Sequence, residues 1–357
     1  MTEYGPMARL LHRIALSARP IREMTFDLDQ SVGGKLDDRA VTAADPVFVS
    51  GLARSGTSIL LRALYSTGCF STLTYRHMPF VLAPRLWRRF TAGHEKAGAE
   101  TERAHGDGMN VSFDSPEAFE EVFWLTFVDD AYVTQDSLKA HDVDSETIEK
   151  FRLYVAAVTD CDRGNHKKAG ARLRYLSKNN NNVLRFGAIR RAFPDAAIVV
   201  PFRHPLEQAA SAHALHTRFD EQYSDDAFGR SYMRWLGHFE FGRDHRPALI
   251  GRTRERLAGL SPDQTDYWLS YWIAVHETLL EQATPLALRL VGFADLCDNP
   301  GRLFTGLFDS LGLDADPETA AGLIAAPAPR QPETGIDRQL ETEALELYHA
   351  LCRYRPA

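Results

Sequence analysis

Runs of apolar residues that end at glycine, proline or a polar cluster mark the strands predicted along this chain. Pro46–Ser50 is short and β-branched, and Ala196–Phe202 is an unbroken apolar run of the kind found in buried parallel strands. Weaker runs lie at 171–176 and 286–293. Helical patterns follow these runs, including one at Val183–Phe193, so the chain is predicted to alternate strands with helices.

This alternation predicts the α/β class: a P-loop-like, doubly wound, mostly parallel sheet flanked by helices. Residues 46–315 are expected to form one domain, with helical insertions near 75–160 and 215–285, one of them starting at Asp114–Glu117. Residues 1–45 are expected to form an N-terminal helix and loop, and residues 316–357 a C-terminal helical extension.

Composition narrows the function classes. The net charge of −7 argues against nucleic acid as a partner, because no general polyanion-binding surface is implied. No apolar run approaches the ~18 residues of a membrane span, so no integral membrane segment is expected. The four cysteines are far apart and the N-terminus lacks a continuous apolar signal segment, which favours a reducing, cytoplasmic location. These cysteines are Cys69, Cys161, Cys297 and Cys352.

The segment after the first strand, Gly51–Ser58 (GLARSGTS), has the G-x-x-x-x-G spacing of a phosphate-binding loop. Its amides and the following helix N-terminus are expected to hold an oxyanion. Thr57 stands where nucleoside triphosphatases have lysine, whereas Arg54 places a cation inside the loop. This arrangement suits a nucleotide whose 5′-phosphate carries one further group.

Three other interpretations of the loop remain open. It could be an ordinary turn into a helix, or it could belong to a P-loop kinase, which would require a lysine at Thr57. A nucleotide-binding regulatory module is the non-catalytic alternative. A metal-dependent enzyme is not expected, because the sequence has no HExxH motif or ligand cluster.

The stretch VFVSGLARSGTSILLRAL resembles the 5′-phosphosulfate loop of the sulfotransferases that use 3′-phosphoadenosine-5′-phosphosulfate (PAPS), in its arginine-containing bacterial form. Arg203-His-Pro, with Ser211 eight residues after the arginine, resembles that family's 3′-phosphate motif, although the family usually has an acidic residue at His204. Weaker matches include Lys178, Phe193–Ala196 and Phe293–Leu296, so the resemblance covers roughly residues 46 to 315.

The resemblance implies PAPS as co-substrate and transfer of its sulfuryl group, by in-line displacement, to an acceptor hydroxyl or amine. The acceptor is expected to be a small molecule or a glycan, while the oligomeric state stays undetermined. The implied donor-binding residues are Arg54, Ser55, Gly56, Thr57, Ser58, Arg203 and Ser211. Arg203 could instead pair with a nearby carboxylate.

The implied catalytic groups are two cations and a general base. Arg54 and Lys178 are the candidates for stabilising the leaving oxygen, although Lys178 could equally be a solvated residue at a polar turn. His77 is the first candidate for the base and His105 its rival, since imidazole titrates near neutral pH. The acids Glu117, Glu120 and Glu121 are expected to serve mainly as helix N-terminal residues, although Glu121 lies on a possible cleft face.

Overall fold

In a computed structural model, five parallel strands form the central sheet of the protein. Their order is β2 (Phe70–Ser71), β6 (Arg174–Lys178), β1 (Val47–Val49), β7 (Ala197–Phe202) and β9 (Leu288–Gly292). The structure describes residues 5–33, 45–91, 101–102, 110–111, 115–128, 132–161, 173–325 and 335–354. The predicted α/β class and the mostly parallel sheet are confirmed.

Strand β1 lies at the centre, between β6 and β7. Val49 pairs with Lys178 on one side and with Val199 on the other. Parallel strands end at the same edge, so the segments that follow β1, β6 and β7 meet there. The loop at Gly51–Ser58, Lys178 and Arg203 therefore lie at one edge of the sheet, as the order of elements predicts.

Helices account for most of the remaining described residues. They are α1 (Pro6–Ser17), α2 (Arg19–Val32), α3 (Thr57–Ser66), α4 (Pro84–Thr91), α5 (Glu121–Phe127), α6 (Ser145–Cys161), α7 (Phe186–Ala192), α8 (Pro205–Gln222), α9 (Ala227–Trp235), α10 (Thr253–Arg256), α11 (Thr265–Ala283), α12 (Phe293–Asp298), α13 (Pro300–Leu311), α14 (Pro317–Ala321) and α15 (Arg338–Arg353). Short 3₁₀ helices occupy Tyr75–His77 and Asn180–Leu184. Two further two-stranded pairs are β3 (Thr101–Glu102) with β4 (Asn110–Val111) and β5 (Leu138–Lys139) with β8 (Ala248–Leu249).

Each face of the sheet has its own apolar core. Phe48 points to the larger core, which also contains Trp124 of α5 and Trp272 of α11. Val47 and Val49 point the other way, into a smaller core with residues of α3 and α13. Complete burial of an aliphatic or aromatic side chain contributes about 1.5–3 kcal/mol, so burial on both faces fixes β1 at the centre.

Three predicted boundaries differ from the structure. The N-terminal region has two helices rather than one, α1 and α2, joined at Ala18. The helix expected to begin at Asp114–Glu117 begins at Glu121, because Glu117 N–H donates to the Leu73 carbonyl and holds that stretch extended. The segment at 183–193 divides into the 3₁₀ helix Asn180–Leu184 and α7, since the Asn179 side chain accepts from the Asn181 N–H.

Candidate functional site

The loop after β1 curls around the N-terminus of α3. Gly56 adopts a left-handed conformation with φ of +101°, and a Cβ atom there would lie 2.6 Å from Phe293 Cδ2. The Ser55 hydroxyl donates to the Leu52 carbonyl at 2.8 Å, and Gln208 Nε2 of α8 donates to the Ala53 carbonyl at 3.0 Å. One hydrogen bond within the loop and one from α8 therefore hold its conformation. The amides that follow lie at the N-terminus of α3, which is suited to binding an oxyanion.

Arg54 links the loop to the second motif. Its backbone has φ of +70°, in the left-handed region, and its Nε donates to Ser211 Oγ at 3.0 Å. Because 157 positions separate these residues in sequence, the contact shows that the fold brings the two motifs together. Arg54 also lines a cleft together with Thr57, Ser58 and Lys178.

Arg203 follows β7 and is almost fully buried. Its guanidinium lies over the Phe293 ring, 4.7 Å from the centroid, and its Nε and Nη2 donate to Glu207 Oε2 at 3.0 and 2.8 Å. The pairing with a nearby carboxylate that the sequence left open is thus present. The Glu207 side chain is 51% exposed, so it can turn to solvent if an anion takes its place at Arg203.

Lys178 is the last residue of β6 and lies buried in the wall of the cleft. Its charge acts on Glu240, a carboxylate in the same wall. Lys178 is therefore not the solvated turn residue that the sequence left open, and it lines the same cleft as Arg54.

His77, the first candidate for the base, does not line this cleft. Its Nδ1 accepts from the Thr74 N–H at 3.0 Å, and its Nε2 lies 3.6 Å from Cys161 Sγ. The ring is buried and closes a 3₁₀ turn, so the nitrogen that would take up a proton is already used. The geometry therefore does not support His77 as the base. His105, its rival, lies outside the described residues.

The three acids of the 117–121 segment have separate surroundings. Glu120 accepts from Trp124, Tyr175 and Asn182, and Glu121 forms a bidentate pair with the buried Arg185. Only Glu117 lines the cleft, where its Oε2 accepts from the Tyr75 hydroxyl at 3.0 Å. Among these acids, Glu120 and Glu121 belong to the core, whereas Glu117 lines the cleft.

The segment after α9 adds a histidine and a carboxylate that sequence reasoning missed. His238 Nδ1 lies 3.6 Å from Glu240 Oε2, and Asn180 Nδ2 donates to Glu240 Oε1 at 3.1 Å. Burial alone would raise the pKa of Glu240, but the neighbouring His238 and the charge of Lys178 lower it to about 2. His-x-Glu is too common a spacing to be a signal, so only the fold reveals this pair.

The described residues were also compared with the requirements of a metal site and of a membrane span. Among the described residues, no group of three or more His, Cys, Asp or Glu side chains is arranged to hold a metal ion. In the same part of the chain, none of the helices combines the length and the hydropathy that crossing a membrane requires.

Comparison with known proteins agrees with this architecture. Two solved structures resemble the fold: sulfotransferase STF1 from Mycobacterium tuberculosis H37Rv and sulfotransferase STF9 from Mycobacterium avium. The first has a TM-score of 0.52 at 14% identity and covers 89% of this chain and 81% of its own. The second has a TM-score of 0.50 at 12% identity and covers 100% and 88%. No curated protein matches the chain in sequence.

The decisive match is with a family model described as the sulfotransferase family, which aligns with residues 46–254. This range contains the loop at Gly51–Ser58, Lys178, Arg203 and Ser211. Because the match spans more than half of the chain, the protein belongs to the sulfotransferase family and is a transferase enzyme.

Proposed function

We propose that the enzyme takes its sulfuryl group from PAPS, with the 5′-phosphosulfate in the loop at Gly51–Ser58 and the 3′-phosphate at Arg203 and Ser211. The observation that carries this proposal is the hydrogen bond from Arg54 Nε to Ser211 Oγ, at 3.0 Å. It joins the two motifs into one site, as a single nucleotide spanning both phosphates requires.

The donor set fits such a nucleotide. The 5′-phosphate meets the amides of Ser55, Gly56 and Thr57 at the N-terminus of α3, where the helix dipole favours negative charge. The planar fork of Arg203 can bind the 3′-phosphate in a bidentate manner, with the Ser211 hydroxyl as an additional donor. The Glu207 carboxylate has to leave Arg203 for this contact, and its exposure permits that movement.

In the transfer, an acceptor oxygen or nitrogen attacks the sulfur in line with the bond to the bridging oxygen. The new bond to sulfur forms as that S–O bond breaks, and adenosine-3′,5′-bisphosphate leaves with the bonding electron pair. Arg54 and Lys178 are assigned to the negative charge that grows on the bridging oxygen. Removing one such donor typically costs about 3–4 kcal/mol of transition-state stabilisation.

His238 is assigned as the general base, with Glu240 as its positioning residue. An imidazole takes up a proton near neutral pH, whereas a carboxyl group has an ordinary pKa near 4. Glu117 is the weaker candidate, because its two oxygens already accept from Tyr75 and from the Ala118 N–H. Glu240 keeps its charge and would stabilise the imidazolium after the acceptor proton reaches His238.

The acceptor is proposed to be a small molecule or a glycan rather than a nucleic acid, because the net charge is −7. All four cysteines lie in the described part of the chain, and none of them forms a disulfide. This suits the reducing, cytoplasmic location that the sequence favours.

A comparison of nucleotides tests the donor. Thermal unfolding is followed with adenosine-3′,5′-bisphosphate, AMP and ATP–Mg²⁺, for the wild type and for Arg203→Ala. We expect the bisphosphate to stabilise the wild type by about 2.7 kcal/mol at a hundredfold excess over Kd, and most of this gain to be lost in the variant. Stabilisation by ATP–Mg²⁺ with no effect of the bisphosphate would refute the proposal in favour of a P-loop kinase.

A further inference from the structure

Part of the cleft wall is apolar. Leu215 and Phe219 of α8, Met233 of α9 and Phe241 line the same cleft as Arg54 and Lys178. These four side chains pack against one another around Phe219 and its neighbour Tyr223. The space of the cleft amounts to about 780 Å³ when the open solvent at its mouth is included. An acceptor in it would place an apolar body against this wall.

Two hydrogen-bond donors in the same wall have no partner. Arg230 Nε and the Tyr223 hydroxyl are both shielded from water and make no hydrogen bond among the described residues. Buried polar groups are nearly always satisfied, so two orphans in one cleft wall indicate a missing acceptor atom. Burial, with a smaller contribution from the Asp226 charge, raises the pKa of Tyr223 to about 12, so its hydroxyl remains a donor.

The backbone brings the residues that carry these two donors near each other. A Cβ atom at Gly229 would lie 2.7 Å from Tyr223 Cε1, so the first turn of α9 rests directly on the Tyr223 ring. Arg230 is the next residue in that turn. An oxyanion held here would be kept away from solvent, where a charge-assisted hydrogen bond is strong.

The other charged groups of this wall already have counter-groups. Arg243 pairs with Asp220 at 3.0 Å, and Asp244 lies 3.9 Å from Arg234. Glu240 faces His238, while Glu117, Arg54 and Lys178 line the end that we assign to the reaction. Among the described residues, Arg230 has no ion-pair partner, which leaves its charge for a ligand.

We propose that Arg230 and Tyr223 bind an anionic oxygen group, a carboxylate, on the acceptor. The acceptor would lay its apolar body against Phe219 and Phe241 and direct its hydroxyl towards Arg54 and Lys178. This inference rests on the proposed function, because it specifies the class of acceptor that binds in the same cleft. The enzyme then prefers an acceptor that carries a hydroxyl group, an apolar body and a carboxylate over the same molecule with a neutral group in place of the carboxylate.

The test uses a matched pair of probes, 3-(4-hydroxyphenyl)propanoate and its amide, which differ in charge and little in shape. Binding is measured calorimetrically with the enzyme saturated by adenosine-3′,5′-bisphosphate. We expect the wild type to bind the carboxylate about tenfold more tightly than the amide. Arg230→Gln should remove this preference and leave the affinity for the amide unchanged. Tyr223→Phe should reduce the preference for the carboxylate.

Arg254→Gln is the control, because Arg254 is exposed, does not line the cleft and carries the same charge. It should keep the wild-type preference. Equal affinities of the wild type for the two probes, equal losses for both in Arg230→Gln, or no binding of either probe would overturn the inference. Bisphosphate binding distinguishes this failure from that of the proposed function: an enzyme that does not bind the bisphosphate refutes the donor, whereas one that binds it without discriminating the probes refutes only the carboxylate subsite.

Discussion

Single side chains in the 117–121 segment have contrasting roles, and the acid at the cleft is Glu117 rather than Glu121, which the sequence placed on a possible cleft face. Glu121 is buried against Arg185, with N–O distances of 2.7 and 2.9 Å, and also accepts from Tyr132 and Asn179. The Arg185 guanidinium also lies within 5.0 Å of the centroid of the Trp124 ring and 5.3 Å of that of the Tyr132 ring. This network is part of the core beneath the site, while Glu117, four residues earlier, faces the cleft.

Glu121→Gln is expected to destabilise the protein by about 3–5 kcal/mol, because it leaves the buried Arg185 charge without its counter-ion. The free energy of unfolding in urea measures the loss. Glu146→Gln is the matched control, since Glu146 is 80% exposed and its pair with Lys150 should contribute less than about 0.5 kcal/mol. Similar losses in the two variants would contradict the assignment of Glu121 to the core.

His238→Gln should lower kcat about 100-fold or more, because it removes the group that takes the acceptor proton. Bisphosphate release from PAPS with a panel of phenols and alcohols measures the rate, and thermal stabilisation by the bisphosphate should stay at the wild-type level. Glu240→Gln should cause a smaller loss of kcat, since the His238 imidazole is still present and only the carboxylate that positions it is removed. A His238→Gln enzyme with wild-type kcat would return the assignment to Glu117 or to His105.

At the scale of elements, the loop between β1 and α3 depends on the conformation of one glycine. Gly56 combines a φ of +101° with contact to the Phe293 ring, and that ring supports Arg203. The loop and the 3′-phosphate motif are therefore coupled through one aromatic side chain. A change at Gly56 reaches both ends of the proposed nucleotide.

Gly56→Ala should weaken binding of the bisphosphate at least tenfold, because the new Cβ would displace Phe293 and the loop amides. Gly68→Ala provides the comparison: its φ is +71°, but nothing lies within 4 Å of the added atom. The control should lose about 1–2 kcal/mol of stability and keep its affinity. Calorimetric titration with the bisphosphate separates the two, and equal affinities would show that the loop tolerates the methyl group.

The elements that the sequence predicted best are those with strong local patterns. The strand expected at Ala196–Phe202 is Ala197–Phe202. The segment at 179–185 was predicted less well. Its asparagines bond to Glu120, Glu121 and Glu240, so distant partners decide its shape.

For the whole molecule, buried and half-buried histidines contribute to the response to acid. Burial is the main cause that lowers the pKa of His276 to about 4, and it acts in the same way on His141 and His245. In the unfolded chain these imidazoles take up protons below pH 6.5, whereas in the folded protein they do so only near pH 4. Their contribution to the free energy of unfolding is therefore fully present above pH 6.5 and is lost as the pH decreases towards 4.

His276→Gln should reduce this pH dependence. Between pH 6.5 and 5, the wild type should lose about 1–2 kcal/mol through His276 alone, because the slope rises to about 1.4 kcal/mol per pH unit once the unfolded imidazole is protonated. The difference in free energy of unfolding between the two pH values should be smaller by that amount in the variant. His349→Gln, at an exposed position, should keep the wild-type difference, and an unchanged pH dependence in His276→Gln would contradict the prediction.

The sequence by itself determined the α/β class, the strands at the centre of the sheet and the two motifs that meet at its edge. These features follow from short-range causes: apolar runs, glycine conformations and the spacing of a loop between a strand and a helix. Neighbouring parallel strands also end at one edge, so the meeting of Arg54, Lys178 and Arg203 could be anticipated.

Only the tertiary structure decided which acids and histidines face the cleft. Glu117 reaches it because its backbone bonds to Leu73, and the Glu240 side chain is held by Asn180, which lies 60 positions away. His77, with the stronger sequence argument, is buried in a turn instead. Such placements depend on contacts between segments far apart in the chain, and no local pattern encodes those contacts.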